Sequence, residues 1–162
     1  MHGKPVLIYT LENFQNHPLI DHIILACLES WMDYAAGLMK KFGITKVAKI
    51  VPGGATGQES IFHGIKEAES LYGNDHIVLI YDGVRPLINE ETITNCIRTT
   101  KQHGNAITVS PAIDSASLMQ HYGMKLCTVE GPAENIKITT PSDFYVFRAI
   151  MDAKENLQIL GL

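Results

Sequence analysis

The stretch HIILACLESWMDYAAGLMKKFGITKVAKIVP, residues 22–52, decides the fold class. HIILAC (22–27) and VAKIVP (47–52) are apolar runs of strand length, and the residues between them carry a helical pattern over 29–42. Two strands joined through a helix by connections of a few residues form a parallel pair, because a short hairpin cannot return the chain in the same direction. The pattern repeats outward. A helix is predicted over 57–72, a strand at HIVLIYD (76–82), a helix over 90–103, and a strand at NAITVSPAI (105–113). A short helix follows around 115–122, then a strand at KLCTVEG (125–131) and a final helix from about 141 to 155. The run Ile77 to Tyr81 is apolar at nearly every position, which predicts a strand buried on both faces. PVLIYTLENF (5–14) has a β-branched start, but Leu7, Leu11 and Phe14 share one helical face and favour a helix. The class is α/β: a Rossmann-like, mostly parallel sheet with helices on both faces. With no repeat, low-complexity tract or linker, residues 1–162 are expected to form one domain.

Composition narrows the function. Of 162 residues, 46% are hydrophobic and 19% charged. No apolar run approaches the roughly 20 residues that a membrane-spanning helix needs. The first residues, MHGKPVLIYT, lack the pattern of a secretory signal, so a cytoplasmic location is expected. The net charge of −4 and the absence of a Lys/Arg-rich run argue against a nucleic-acid partner. Cys27, Cys96 and Cys127 are widely spaced with no C-x-x-C and are expected to be buried thiols. The seven histidines show no metal-ligand spacing and are read as structural.

Three stretches carry candidate chemistry. In open α/β sheets ligands bind beyond the carboxyl ends of the strands, and HIVLIYD ends there in Asp82 followed by Arg85-Pro86. Asp82 could hold a divalent cation and Arg85 could grip an anion through its planar fork. A structural Asp82–Arg85 pair closing a turn accounts for the same residues equally well. VPGGATGQES (51–60) places Gly53-Gly54 after a strand and opens a helix with Thr56-x-x-Glu59, the form of a capping box. It matches neither dinucleotide nor phosphate-loop patterns, so by pattern alone a plain strand-to-helix turn is favoured. In ENIKITTPSDF (134–144), alternation sends Ile136 and Ile138 to the core and Lys137 the other way. Thr140 then caps a helix with Pro141 at its first position and Asp143 in its first turn. A solvated Lys137 is the bland alternative.

Taken in order, GKPVLIYTLENF, VPGGATGQES, DGVRPLI and ENIKITTPSDFYVFRAI resemble the cytidylyltransferases that act on methylerythritol phosphate or ribitol phosphate. The resemblance covers nearly the whole chain. It implies transfer of a cytidylyl group from CTP to a small polyol phosphate, with Mg²⁺ and release of pyrophosphate, as in isoprenoid or teichoic acid precursor synthesis. It further implies that Gly53, Gly54, Ala55, Thr56 and Ser60 line the cytidine site and that Asp82 binds metal and nucleotide. Arg85 would contact the polyol phosphate, and Lys137 would position its attacking phosphate. ESWMDYA and ENLQILGL lean toward the ribitol phosphate branch.

The resemblance also implies two departures. The family begins with a strand and a Gly-rich loop carrying an arginine and a Pro-Lys-Gln segment, whereas this chain starts at the equivalent of the following residues. The family carries a dimerisation arm where this chain runs straight from Ile113 to Asp114, so the family homodimer is in doubt. Such a chain is expected to bind CTP weakly at best and to be impaired in transfer, down to none measurable. The alternative function is a non-catalytic α/β nucleotide-binding or scaffold protein derived from the same fold.

Overall fold

A computed structural model describes residues 3–109 and 126–160, with side chains through residue 157. The predicted helix around 115–122 lies outside the described residues. The chain divides into two compact units, Leu11–Tyr81 and Met1–Thr10 with Asp82–Leu162. Helix α1 (Val6–Gln15) contributes its first half to one and its second half to the other.

In the unit Leu11–Tyr81, strands β1 (Ile23–Cys27) and β2 (Val47–Pro52) pair in parallel, with an irregularity between Ile23 and Ile24. A single 3₁₀ turn, Glu29–Trp31, leads into α2 (Met32–Lys41), which buries Ala35, Leu38 and Met39. This spacing of three and four residues is the stripe that the sequence pattern required. The loop between α2 and β2 is held in part by the Gln15 side chain. Gln15 Oε1 accepts the Thr45 and Lys46 backbone N–H groups at 2.9 and 2.8 Å, and Gln15 Nε2 donates to Thr45 Oγ1 at 2.9 Å. His17 is buried and its Nδ1 accepts from Leu19 N at 3.1 Å, a structural role. Helix α3 (Gly57–Tyr72) packs against both strands.

In the other unit, α4 (Glu90–His103) begins at Asn89, whose side chain accepts from Thr92 N at 2.9 Å, and stops at Gly104 in the left-handed region with φ of 85°. Its buried face, Ile93, Cys96 and Ile97, covers the parallel pair β3 (Ile107–Val109) and β4 (Thr128–Glu130). Helix α5 (Pro141–Leu160) is fixed to the core by Phe147, which is fully buried and meets the Tyr9 ring edge-on at 5.5 Å.

The architecture is α/β with parallel strands and covering helices, as expected. One expected strand is absent. Residues 77–82 join no ladder among the described residues, so the parallel strands form two separate pairs. Exposure along the segment still alternates. Ile77, Leu79 and Tyr81 are half-buried, while Val78 is 43% and Ile80 is 59% exposed. The expectation of burial on both faces is therefore corrected. Near-continuous apolarity suits a central parallel strand, but burial of both faces requires cover that the described residues do not supply. ENIKITT likewise joins no ladder, with Ile136 and Ile138 half-buried and Lys137 exposed as alternation predicts.

Candidate functional site

The predicted site residues fall into two groups, one in each unit. In the unit that begins at Asp82, the chain turns sharply: Arg85 N donates to Asp82 O at 3.1 Å. The next residues, Pro86, Leu87 and Ile88, are buried, so the turn is anchored by its own continuation. Thr10, buried on α1, donates its hydroxyl to Gly83 O at 2.9 Å. A Cβ added to Gly83 would lie 3.2 Å from Leu7, so helix α1 also limits the bulk at this turn.

That turn presents Asp82 to two cations. Arg85 Nε donates to Asp82 Oδ2 at 3.1 Å, and Lys137 Nζ lies 3.4 Å from the same oxygen. Arg85 Nη1 reaches on to Asn135 O at 3.1 Å, and Ile138 N donates to Val84 O at 2.9 Å. The Asp82 turn and the Lys137 segment are thus stitched together on both sides of Lys137. Asp82, Arg85 and Lys137 are between one third and one half exposed, so solvent and small anions reach them. Pairs this exposed contribute about 0–1 kcal/mol to stability. One carboxylate oxygen thus meets two partly exposed cations.

In the unit Leu11–Tyr81, the second group shapes the start of α3. Thr56 Oγ1 accepts from Glu59 N at 3.1 Å while Glu59 Oε2 accepts from Thr56 N at 3.2 Å, completing the predicted capping box. Ser60 Oγ accepts from Gly54 N at 3.0 Å and donates to Thr56 O at 3.0 Å, bracing the turn from within. Gly53 N donates to Cys27 O at 2.7 Å, extending the β1–β2 pairing by one residue. Close approach requires glycine at 54 and is tight at 53. A Cβ on Gly54 would collide with the Glu59 side chain, and one on Gly53 would sit 3.1 Å from Ser60 Oγ. Ala55 and Thr56 are exposed at the tip of the turn. The capping box takes Thr56 N and Glu59 N, so a polar or anionic group at the positive end of the α3 dipole would meet the N–H groups of Gly57 and Gln58.

Two contributors escaped the sequence reading. Thr10 sits in the helical stripe of α1, where its bond to Gly83 left no local signal. Asp143 was read only as a favourable charge in the first turn of α5, yet its Oδ2 accepts from Thr139 N, Thr139 Oγ1 and Thr140 N at 2.9, 3.1 and 2.8 Å. These bonds hold the Asp143 carboxyl below its ordinary range, the Thr139 backbone bond being the largest cause. Among the described residues no group of three or more His, Cys, Asp or Glu side chains is placed to hold a metal ion.

The α/β fold, with parallel strands and covering helices, is of the nucleotidyltransferase type. The 2-C-methyl-D-erythritol 4-phosphate cytidylyltransferase (IspD) family model matches residues 1–115, and the chain belongs to that family. It is 39% identical to a ribitol-5-phosphate cytidylyltransferase of Streptococcus agalactiae serotype III (strain NEM316), the match covering 100% of this chain and 89% of that protein. It is 33% identical to a 2-C-methyl-D-erythritol 4-phosphate cytidylyltransferase of Clostridium botulinum (strain Okra / Type B1), over 96% of this chain and 66% of the other. The crystal structure of 4-diphosphocytidyl-2C-methyl-D-erythritol synthase from Anaerococcus prevotii DSM 20548 shares the fold. Its TM-score is 0.77 at 22% identity, over 92% of this chain and 87% of that one. The streptococcal match spans 213 positions against 162 residues here, so 51 positions of that relative face no residue of this chain.

Proposed function

We propose that the protein is a cytidylyltransferase that transfers CMP from CTP to ribitol 5-phosphate, releasing pyrophosphate, with 2-C-methyl-D-erythritol 4-phosphate as the poorer acceptor. The observation that carries the reaction class is the convergence of Arg85 and Lys137 on Asp82. Phosphoryl-type transfer asks mainly for positioning and charge neutralisation, and these three groups supply both. The preference for ribitol 5-phosphate rests on the higher identity to relatives of that name.

In this reading the Gly53–Ser60 turn receives the cytidine, with Gly53, Gly54, Ala55 and Thr56 offering backbone and Ser60 holding their shape. Arg85 binds the polyol phosphate through its fork. Lys137 aligns that phosphate for attack on the α-phosphorus of CTP and balances the charge that builds there. The attacking phosphate oxygen forms the new P–O bond as the bond to the bridging oxygen of pyrophosphate breaks, so the leaving group departs with that electron pair. Asp82 suits Mg²⁺ in its usual mode of one or two carboxylates completed by substrate phosphates and water. Bound there, Mg²⁺ would neutralise the triphosphate and stabilise the departing pyrophosphate. The 51 positions that the streptococcal relative has and this chain lacks support a rate below that of such relatives.

The test is pyrophosphate release with CTP, Mg²⁺ and each polyol phosphate. Ribitol 5-phosphate is expected to give the faster release. CTP binding with no release under either acceptor would replace this reading with that of a nucleotide-binding protein.

A further inference from the structure

Lys137 stands in a segment with no strand ladder, so its place is set by a few identifiable bonds. On its two sides, Asn135 O accepts from Arg85 Nη1 and Ile138 N donates to Val84 O. Downstream, every bond from Thr139 and the Thr140 amide converges on one atom, Asp143 Oδ2. Asp143 N in turn donates to Thr140 Oγ1 at 3.3 Å, a reciprocal cap like that at Thr56 and Glu59. One turn further along α5, Phe147 is fully buried against Tyr9. A rigid path therefore runs from the core through the first turn of α5 and the Asp143 carboxylate to the backbone beside Lys137.

We propose that Asp143 is a positioning residue for Lys137: its carboxylate fixes Thr139 and Thr140, and through them holds the Lys137 ammonium at the Asp82 oxygen. The kinetic side of this inference rests on the cytidylyl-transfer reading, while its structural side does not. The Thr140 amide bond is the ordinary half of a capping box, whereas the two Thr139 bonds go to a residue before the N-cap. Asn89 starts α4 in the same unit with a single bond, to Thr92 N. Thr139 lies outside the helix it would merely cap, and it adds a hydroxyl bond to the backbone one. A misplacement of about 1 Å in a reacting group costs on the order of 10² in rate, so the fixing of this segment bears on turnover.

The experiment compares Asp143→Ala, Asp143→Asn and Asn89→Ala in the full chain by amide hydrogen exchange and by pyrophosphate release. Asn89→Ala supplies a matched loss of helix capping away from Lys137. In Asp143→Ala, exchange at Ile138 is expected to rise about 10-fold or more, and kcat to fall by about 10-fold or more with KM for CTP changed less than about twofold. Asp143→Asn retains an acceptor oxygen and is expected to recover part of both, and it stands in if the alanine variant does not fold. Asn89→Ala is expected to lower the Tm while leaving Ile138 exchange and kcat unchanged. Wild-type exchange at Ile138 in Asp143→Ala would overturn the proposal, as would an unchanged kcat. If the wild-type chain releases no pyrophosphate at all, the transfer reading falls and the exchange result alone decides the role of Asp143.

Discussion

Lys137 Nζ and Asp82 Oδ2 lie 3.4 Å apart although the two residues are far apart in the chain, and Arg85 Nε meets the same oxygen at 3.1 Å. An exposed carboxylate gains little stability from either partner. The grouping therefore adds little to the fold, so an effect of its substitution on ligand can be told from an effect on folding.

Asp82→Asn keeps the size of the side chain and removes its charge. It is expected to weaken Mg²⁺-dependent CTP binding by about 10-fold or more, since a bound cation is the largest local charge of such a site. Its Tm should stay close to wild type. Calorimetric titration of Mg²⁺–CTP beside thermal melts checks both, and equal CTP affinity in the variant would remove Asp82 from the site.

Lys137→Ala is expected to lower kcat by about 10²–10³, the usual cost of removing one preorganised charge-stabilising contact, with a smaller change in KM for CTP. Steady-state pyrophosphate release measures the two constants separately. Unchanged turnover would make Lys137 a solvated surface lysine.

Gly54→Ala inserts a Cβ where the Glu59 side chain and backbone already stand. Overpacking of this kind costs about 1–3 kcal/mol. The expected result is a lower urea midpoint together with weaker CTP binding, because the turn at the start of α3 must open to admit the methyl group. A wild-type midpoint would mean that the turn is looser than its hydrogen bonds indicate.

The Asp143 carboxyl titrates below its ordinary value because it accepts the Thr139 and Thr140 N–H groups, with the Thr139 backbone bond first among the causes. A depressed carboxylate stabilises the fold fully above its unfolded value, about 3.9, and loses that contribution as the pH falls through its lower folded value. The Thr139 and Thr140 amide resonances should therefore shift together as the pH falls, with a midpoint below the ordinary aspartate value of about 3.9. Asp143→Asn should abolish that step. A shift centred above pH 4 would contradict the assigned bonds.

Much of the fold was readable from local pattern. Helix α3 begins at the Thr56 capping box and α4 at Asn89, both as the residue types indicate, and β2 coincides with VAKIVP. Spacing alone left Asp82 and Arg85 equally explained by a structural turn pair, and alternation left Lys137 explained as a solvated lysine, so their roles came from the family resemblance; the structure adds that the three side chains meet. What could not be read was pairing. Ile77–Tyr81 has the composition of a central strand, but the composition of a segment does not specify which backbone lies beside it, and no described segment does. Thr10 and Asp143 were missed for a related reason. Their roles are hydrogen bonds to Gly83 O and to the Thr139 and Thr140 amides, and neither target carries a side-chain signature of being bound.

The central claim is transfer chemistry at the Asp82, Arg85 and Lys137 group. The most direct measurement is pyrophosphate release by the 162-residue chain with CTP, Mg²⁺ and ribitol 5-phosphate, beside its Lys137→Ala variant and the streptococcal relative. The account predicts release that depends on ribitol 5-phosphate, runs about 10² or more below the relative, and disappears in Lys137→Ala. Release that persists unchanged in Lys137→Ala, or none from the wild-type chain at any concentration while CTP still binds, would contradict it.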